Sequence, residues 1–96
     1  MSRPADIVKQ HRAAITDLAG QHKARSIAVF GSVARGNDTS TSDIDFLVDF
    51  ESGSSLFDLM HLQEALTELL ECDVDVVSAG ALTDRDDHIR KEATPL

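Results

Sequence analysis

The spacing of apolar residues switches between helical and strand periods along the chain. From residue 3 to 20, Ile7, His11, Ala14, Ile15 and Leu18 recur at helical spacing, Pro4 suits a first turn and Gly20 a stop; this predicts an amphipathic helix. "SIAVF", 26 to 30, is short, apolar and partly β-branched, and predicts a buried strand that ends at Gly31. Ser32 to Arg35 has the length of one helical turn, closed by Gly36, and "NDTSTS", 37 to 42, is turn chemistry throughout. "DIDFLVDF", 43 to 50, then alternates with a period of two. Ile44, Phe46, Val48 and Phe50 share one face of this strand; Asp43, Asp45, Leu47 and Asp49 share the other.

After the loop "ESGSS", Ser55 with Asp58 three residues on resembles a helix-start cap. Leu56, Leu59, Leu62, Leu66 and Leu69 mark a helix to about Glu71. "DVDVV", 73 to 77, reads as a third strand, with Val74 and Val76 opposite Asp73, Asp75 and Val77. Thr83 or Asp84 would cap a last helix over 84–92, ahead of Pro95. This order of elements predicts an α/β fold, a small mixed β-sheet packed against helices.

A chain of 96 residues is enough for one small domain, 1–96. The formal net charge of −8 argues against a broad electrostatic grip on nucleic acid, so no direct nucleic-acid partner is expected. It is compatible with a partner protein carrying a basic patch, and with anionic ligands where metal ions mediate the contact. Cys72 is the single cysteine, which excludes an internal disulfide, and its apolar and acidic neighbours give no reason for a reactive thiol. No apolar stretch approaches the ~18 residues of a membrane span, and "MSRPADIVKQ" lacks a signal-peptide core. A cytoplasmic location with no membrane contact is the expectation.

The aspartates carry the candidate chemistry. Asp43 and Asp45 are two apart on a strand, so their carboxylates point the same way with Cα atoms roughly 6.6 Å apart. Both can converge on one divalent cation or on a pair of cations; without one, the like charges repel. Mg²⁺ or Mn²⁺, with phosphate oxygens as further ligands, is the natural occupant. Asp75 adds a third carboxylate if its strand neighbours that of Asp45. Alternation alone leaves open a plainer reading, in which Asp45 and Asp75 lie on a solvated sheet face and Asp43 and Asp73 at strand ends. The Gly31-Ser32 pair favours the site: Gly31 permits close backbone approach, N–H groups after it can hold phosphate oxygens, and Ser32 adds a hydroxyl. Arg35, on the same turn, is placed either to contact phosphate or partner, or to anchor the loop. "GSVARG" is no Walker loop, and there is no G-x-G-x-x-G.

Gly31-Ser32, ten residues, then Asp43-Ile44-Asp45 resembles the G-S-x10-D-x-D signature of the DNA polymerase β-like nucleotidyltransferase superfamily, and Asp75 in "DVDVV" matches its third acid. The fuller pattern "GSVARG…SDIDFLV" and the ending "IRKEATPL" resemble the minimal nucleotidyltransferase branch, the MntA-type antitoxins of HEPN toxin systems. The resemblance implies a polymerase β-like nucleotidyltransferase fold that takes a nucleoside triphosphate, usually ATP, with two Mg²⁺ ions. It implies that Asp43, Asp45 and Asp75 are the catalytic and metal-binding acids, Asp75 also helping to deprotonate the acceptor. Gly31 and Ser32 would hold the β- and γ-phosphates. The acceptor it implies is a tyrosine hydroxyl of a HEPN ribonuclease toxin, neutralised by AMP in a hetero-oligomer. Two alternatives stand beside this: an antitoxin that masks its toxin without catalysis, and a transferase for a small molecule.

Overall fold

The computed structural model describes residues 3–96. The first helical stretch is two helices, α1 (Pro4–Gln10) and α2 (Arg12–Gln21), rather than the single helix predicted over 3–20. His11 breaks it, with φ −106° and ψ 14°, and its Nδ1 lies 2.9 Å from the Ile7 carbonyl oxygen. Gly20 lies inside α2 and does not end it. Strand β1 (Ala24–Phe30) is followed at once by the single helical turn α3 (Gly31–Arg35), closed by Gly36 in the left-handed conformation. Strand β2 (Ile44–Phe50) begins one residue after Asp43, which therefore sits at the strand's mouth rather than within it.

Helix α4 (Leu56–Leu70) opens with the expected capping box, Asp58 accepting the Ser55 backbone N–H at 2.8 Å. Strand β3 (Val74–Ser78) leads through two 3₁₀ turns, Ala79–Ala81 and Asp84–Asp86, into α5 (Asp87–Glu92). Of the helix predicted over 84–92, the last two-thirds is α-helical and the first turn is 3₁₀. A short strand that the pattern did not signal, β4 (Thr94–Pro95), closes the described chain.

The strands form one mixed sheet in the order β3-β2-β1-β4, parallel only between β2 and β3. One face is the core. Ile27, Val29, Ile44, Phe46, Val48, Val74 and Val76 pack there against Ile15 and Ala19 of α2 and Leu62, Leu66 and Leu70 of α4. Phe46, Leu62 and Leu66 are completely buried, each worth roughly 1.5–3 kcal/mol of transfer free energy. Because side chains alternate along a strand, filling this face commits Asp45 and Asp75 to the opposite, open one. Gln63 of α4 accepts the Val76 N–H at 3.0 Å, fixing the outer edge of β3 next to Asp75.

The loop between α3 and β2 is tied down by Asp38, whose side chain is fully buried. It accepts the Ala5 N–H at 3.0 Å, inside the first turn of α1, and an Arg3 guanidinium N–H at 2.7 Å. The bond from Ala5, reinforced by Arg3, holds the Asp38 carboxyl below the usual carboxylate range against the cost of burial. The sequence pattern shows this residue only as part of a turn.

Candidate active site

The site is built where β1 ends and β2 and β3 begin. Phe30, the last residue of β1, is the register partner of Asp45 on β2, and Asp45 is the register partner of Asp75 on β3. The parallel pairing puts the two carboxylates side by side on the open face, with strand axes about 4.8 Å apart. Asp43 precedes the strand on this same edge, and the Ile44 N–H donates to the Asp73 carbonyl oxygen at 3.0 Å, holding the two strand starts level.

Gly31 turns the chain directly against this cluster. Its φ is +72°, a conformation that L side chains rarely adopt. A β-carbon there would collide with Oδ2 of Asp45 and lie 3.3 Å from its Cγ. The glycine thus lets α3 start in contact with Asp45. The N–H groups of the first turn of α3, including that of Ser32, have no partner within the helix.

Asp45 carries the electrostatic consequence. Burial pushes its pKa up, the charges of Asp75 and then Asp43 push it further, Arg35 opposes them, and Glu92 adds to the rise. Asp75 and Asp43 are therefore both near enough to act on Asp45. Arg35 is close to them but is engaged: its guanidinium donates to Glu92 of α5 at 2.9 Å. Glu92 is the neighbour that sequence reasoning missed. It lies in "TDRDDHIRKE", which reads as a solvated charged helix or a partner contact, and only the fold brings it back to α3.

Among the described residues, no three His, Cys, Asp or Glu side chains form a ready-made metal cage. Mg²⁺ does not require one, since it is usually held by one or two carboxylates with waters and substrate phosphates. A half-buried carboxylate beside two others is relieved by a cation, and the all-oxygen donor set is the kind that hard divalent ions prefer. The residues present fit a magnesium-bound phosphate ligand.

The nucleotidyltransferase domain family matches this chain over residues 8–95. A Methanocaldococcus jannaschii protein, named among the protein adenylyltransferases, is 38% identical over 82 residues, 85% of this chain and 81% of that protein. The protein adenylyltransferase MntA of Thermococcus cleftensis is 42% identical over 66 residues, 69% of this chain and 67% of the relative. A solved minimal nucleotidyltransferase has a TM-score of 0.86 at 41% identity, covering 96% of this chain and 95% of that one. Chains of two toxin–antitoxin structures share the fold at lower identity. One complex contains AMP-PNP (TM-score 0.75, 23% identity, 86% of this chain and 69% of that one). The other is a tri-AMPylated Shewanella oneidensis HEPN toxin with its MNT antitoxin (TM-score 0.69, 20% identity, 91% and 69%). With a family match from residue 8 to 95 and relatives of this likeness, the chain belongs to the nucleotidyltransferase domain family and is itself a nucleotidyltransferase.

Proposed function

We propose that this nucleotidyltransferase is an antitoxin that transfers AMP from ATP to a tyrosine hydroxyl of a HEPN ribonuclease toxin and so silences it. The observation that carries the reading is the contact of Gly31 with Asp45, beside the Asp45–Asp75 pair. The naming of relatives at 38% and 42% identity as protein adenylyltransferases supports the reaction. The sharing of this fold with chains of an AMPylated toxin–antitoxin complex and of a complex with AMP-PNP agrees with the partner and the nucleotide.

In this reading the N–H groups of the Gly31–Ser32 turn and the Ser32 hydroxyl hold the β- and γ-phosphates, and Asp43, Asp45 and Asp75 hold Mg²⁺. Magnesium held there would supply charge neutralisation for the triphosphate and would make the acceptor hydroxyl easier to deprotonate. Asp75, exposed on the same face as Asp45, takes the hydroxyl proton at a carboxylate oxygen. The acceptor oxygen forms its bond to the α-phosphorus as the bond from that phosphorus to the bridging oxygen breaks, and pyrophosphate leaves. Phosphoryl-type transfer asks mainly for positioning and charge stabilisation, which a rigid turn and three carboxylates can provide. Arg35, held by Glu92, acts by fixing the end of the phosphate turn and tempering the local negative charge.

Incubation with α-labelled ATP, Mg²⁺ and the HEPN partner tests this. Label on the toxin and loss of its ribonuclease activity are expected. If Asp43→Asn with Asp45→Asn neutralises the toxin as well as the unaltered protein does, the antitoxin works by masking and the transfer reading fails.

A further inference from the structure

The cations of this acidic chain are unevenly placed. Of nine Lys and Arg residues, Arg3, Lys23, Arg35 and Arg90 are paired with carboxylates. Lys9, Arg12, Arg25, Arg85 and Lys91 have no such pairing among the described residues, and the first three of these line one surface that wraps around Leu96. Asp17 is its only side-chain carboxylate among the described residues, and the terminal carboxylate of Leu96 lies at its centre, so the three cations leave it only modestly positive.

The floor of this surface is apolar. A cavity of about 230 Å³ between α1, α3 and β4 is walled by Ala5, Val8, Val29, Val33, Ala34 and Leu96, with Lys9 and Arg12 among its lining. Beyond Leu96 the surface runs along Thr16 of α2 to a second hollow beside Arg25 and Ile27. A strand edge opens there as well. β4 pairs only with Ala28 and Val29, and the Leu96 N–H donates to the Ile27 carbonyl oxygen at 3.1 Å. Ahead of Ile27, no strand lies along this edge of β1 among the described residues.

We propose that this surface is a docking groove for an acidic, aliphatic peptide segment of a partner protein. The apolar hollows take its aliphatic side chains, Lys9, Arg12 and Arg25 meet its carboxylates, and the open edge of β1 offers backbone partners to an extended chain. Charge complementarity selects the occupant: on a protein of net charge −8, a basic strip discriminates an acidic segment from others. Nucleic acid fits less well, because three cations give little phosphate attraction and no aromatic side chain lines the hollows for base stacking. The groove shares Val33 and Ala34 with the α3 turn, but Gly31, Ser32, Arg35 and the three aspartates do not line it, so it would hold a partner without occupying the candidate active site.

The probe is a short fluorescent peptide of mixed leucine, valine, glutamate and aspartate, titrated into the ¹⁵N-labelled full chain. Its controls are the same peptide with lysine in place of the acids, and a single-stranded RNA of equal length. Saturable binding of the acidic peptide, with amide shifts at Lys9, Arg12, Arg25, Val33 and Leu96, is expected. The combined K9E, R12E and R25E variant should weaken it by more than about tenfold while Tm and nucleotide binding stay unchanged. Absence of binding at millimolar peptide, equal binding by that variant, or preferential binding of the RNA or the lysine peptide would each overturn the proposal. None of these readouts depends on adenylyl transfer, so the groove and the reaction fail separately.

Discussion

Gly31 and Asp45 are packed so closely that a methyl group at residue 31 would overlap the Asp45 carboxylate, and Gly31 is also held at φ +72°. Gly31 follows β1 directly and Asp45 lies at the start of β2, so this contact, with the Phe30–Asp45 pairing, holds the Gly31 turn against the acids. Gly31→Ala should therefore cost about 1–3 kcal/mol of stability, from the left-handed backbone and the collision together. It should also lower transfer by about a hundredfold or more, because a displacement near 1 Å at reacting groups has that effect. Thermal unfolding and initial rates on the same preparation check both; a variant with normal rates would mean that the turn does not position the substrate.

Asp45 is predicted to trade stability for function. A carboxyl whose pKa is raised on folding holds its proton better when folded. Its ionisation therefore costs stability, increasingly so as pH rises from the unfolded value near 3.9 through the folded one, and fully above it. Asp45→Asn should raise Tm at pH 7 in the absence of Mg²⁺ and ATP, lose that advantage in acid, and abolish transfer. Tm measured across pH, with and without Mg²⁺ and ATP, decides; a lower Tm for the variant at pH 7 would contradict the electrostatic account.

Asp38 has the opposite sign. Its pKa is lowered by the Ala5 N–H bond and by Arg3, so its contribution is present above about pH 3.9 and is lost as pH falls through the folded value. Asp38→Ala should cost about 1–3 kcal/mol near neutrality by uncapping α1 and releasing Arg3. The gap from the unaltered protein should close in acid. Denaturant midpoints at several pH values test this.

Arg35 and Glu92 form a partly exposed pair, for which ~0.2–1 kcal/mol of stability is typical. Their larger effect should fall on nucleotide binding. Glu92→Gln removes a negative charge near Asp45 and should lower KM for ATP by about two- to fivefold, while Arg35→Ala raises it by a similar factor. Steady-state kinetics of both single variants and the double variant separate a shared anchoring role from independent contact with phosphate.

Local pattern revealed much of this architecture. The alternation of Ile44, Phe46 and Val48 with Asp45 and Leu47 identified the strand and its buried face, and the Ser55–Asp58 cap marked the start of α4. What stayed hidden was relational. His11 falls at helical spacing with Ile7 and Ile15, yet its ring engages the Ile7 carbonyl and the helix breaks there. The pairing of Asp45 with Asp75 depends on which strands are neighbours, and residue spacing carries no record of that. Asp38 looks like any turn aspartate until α1 is folded against it, and Thr94–Pro95 becomes a strand only through β1.

The proposed transfer requires the Gly31 turn and the three aspartates to bind triphosphate together with magnesium. Calorimetric titration of ATP into the protein, with Mg²⁺ and again with a chelator, tests it most directly. Saturable binding with Mg²⁺ is expected, and it should disappear with the chelator and in the Asp43→Asn, Asp45→Asn double variant. Equal ATP binding in all three conditions would contradict it.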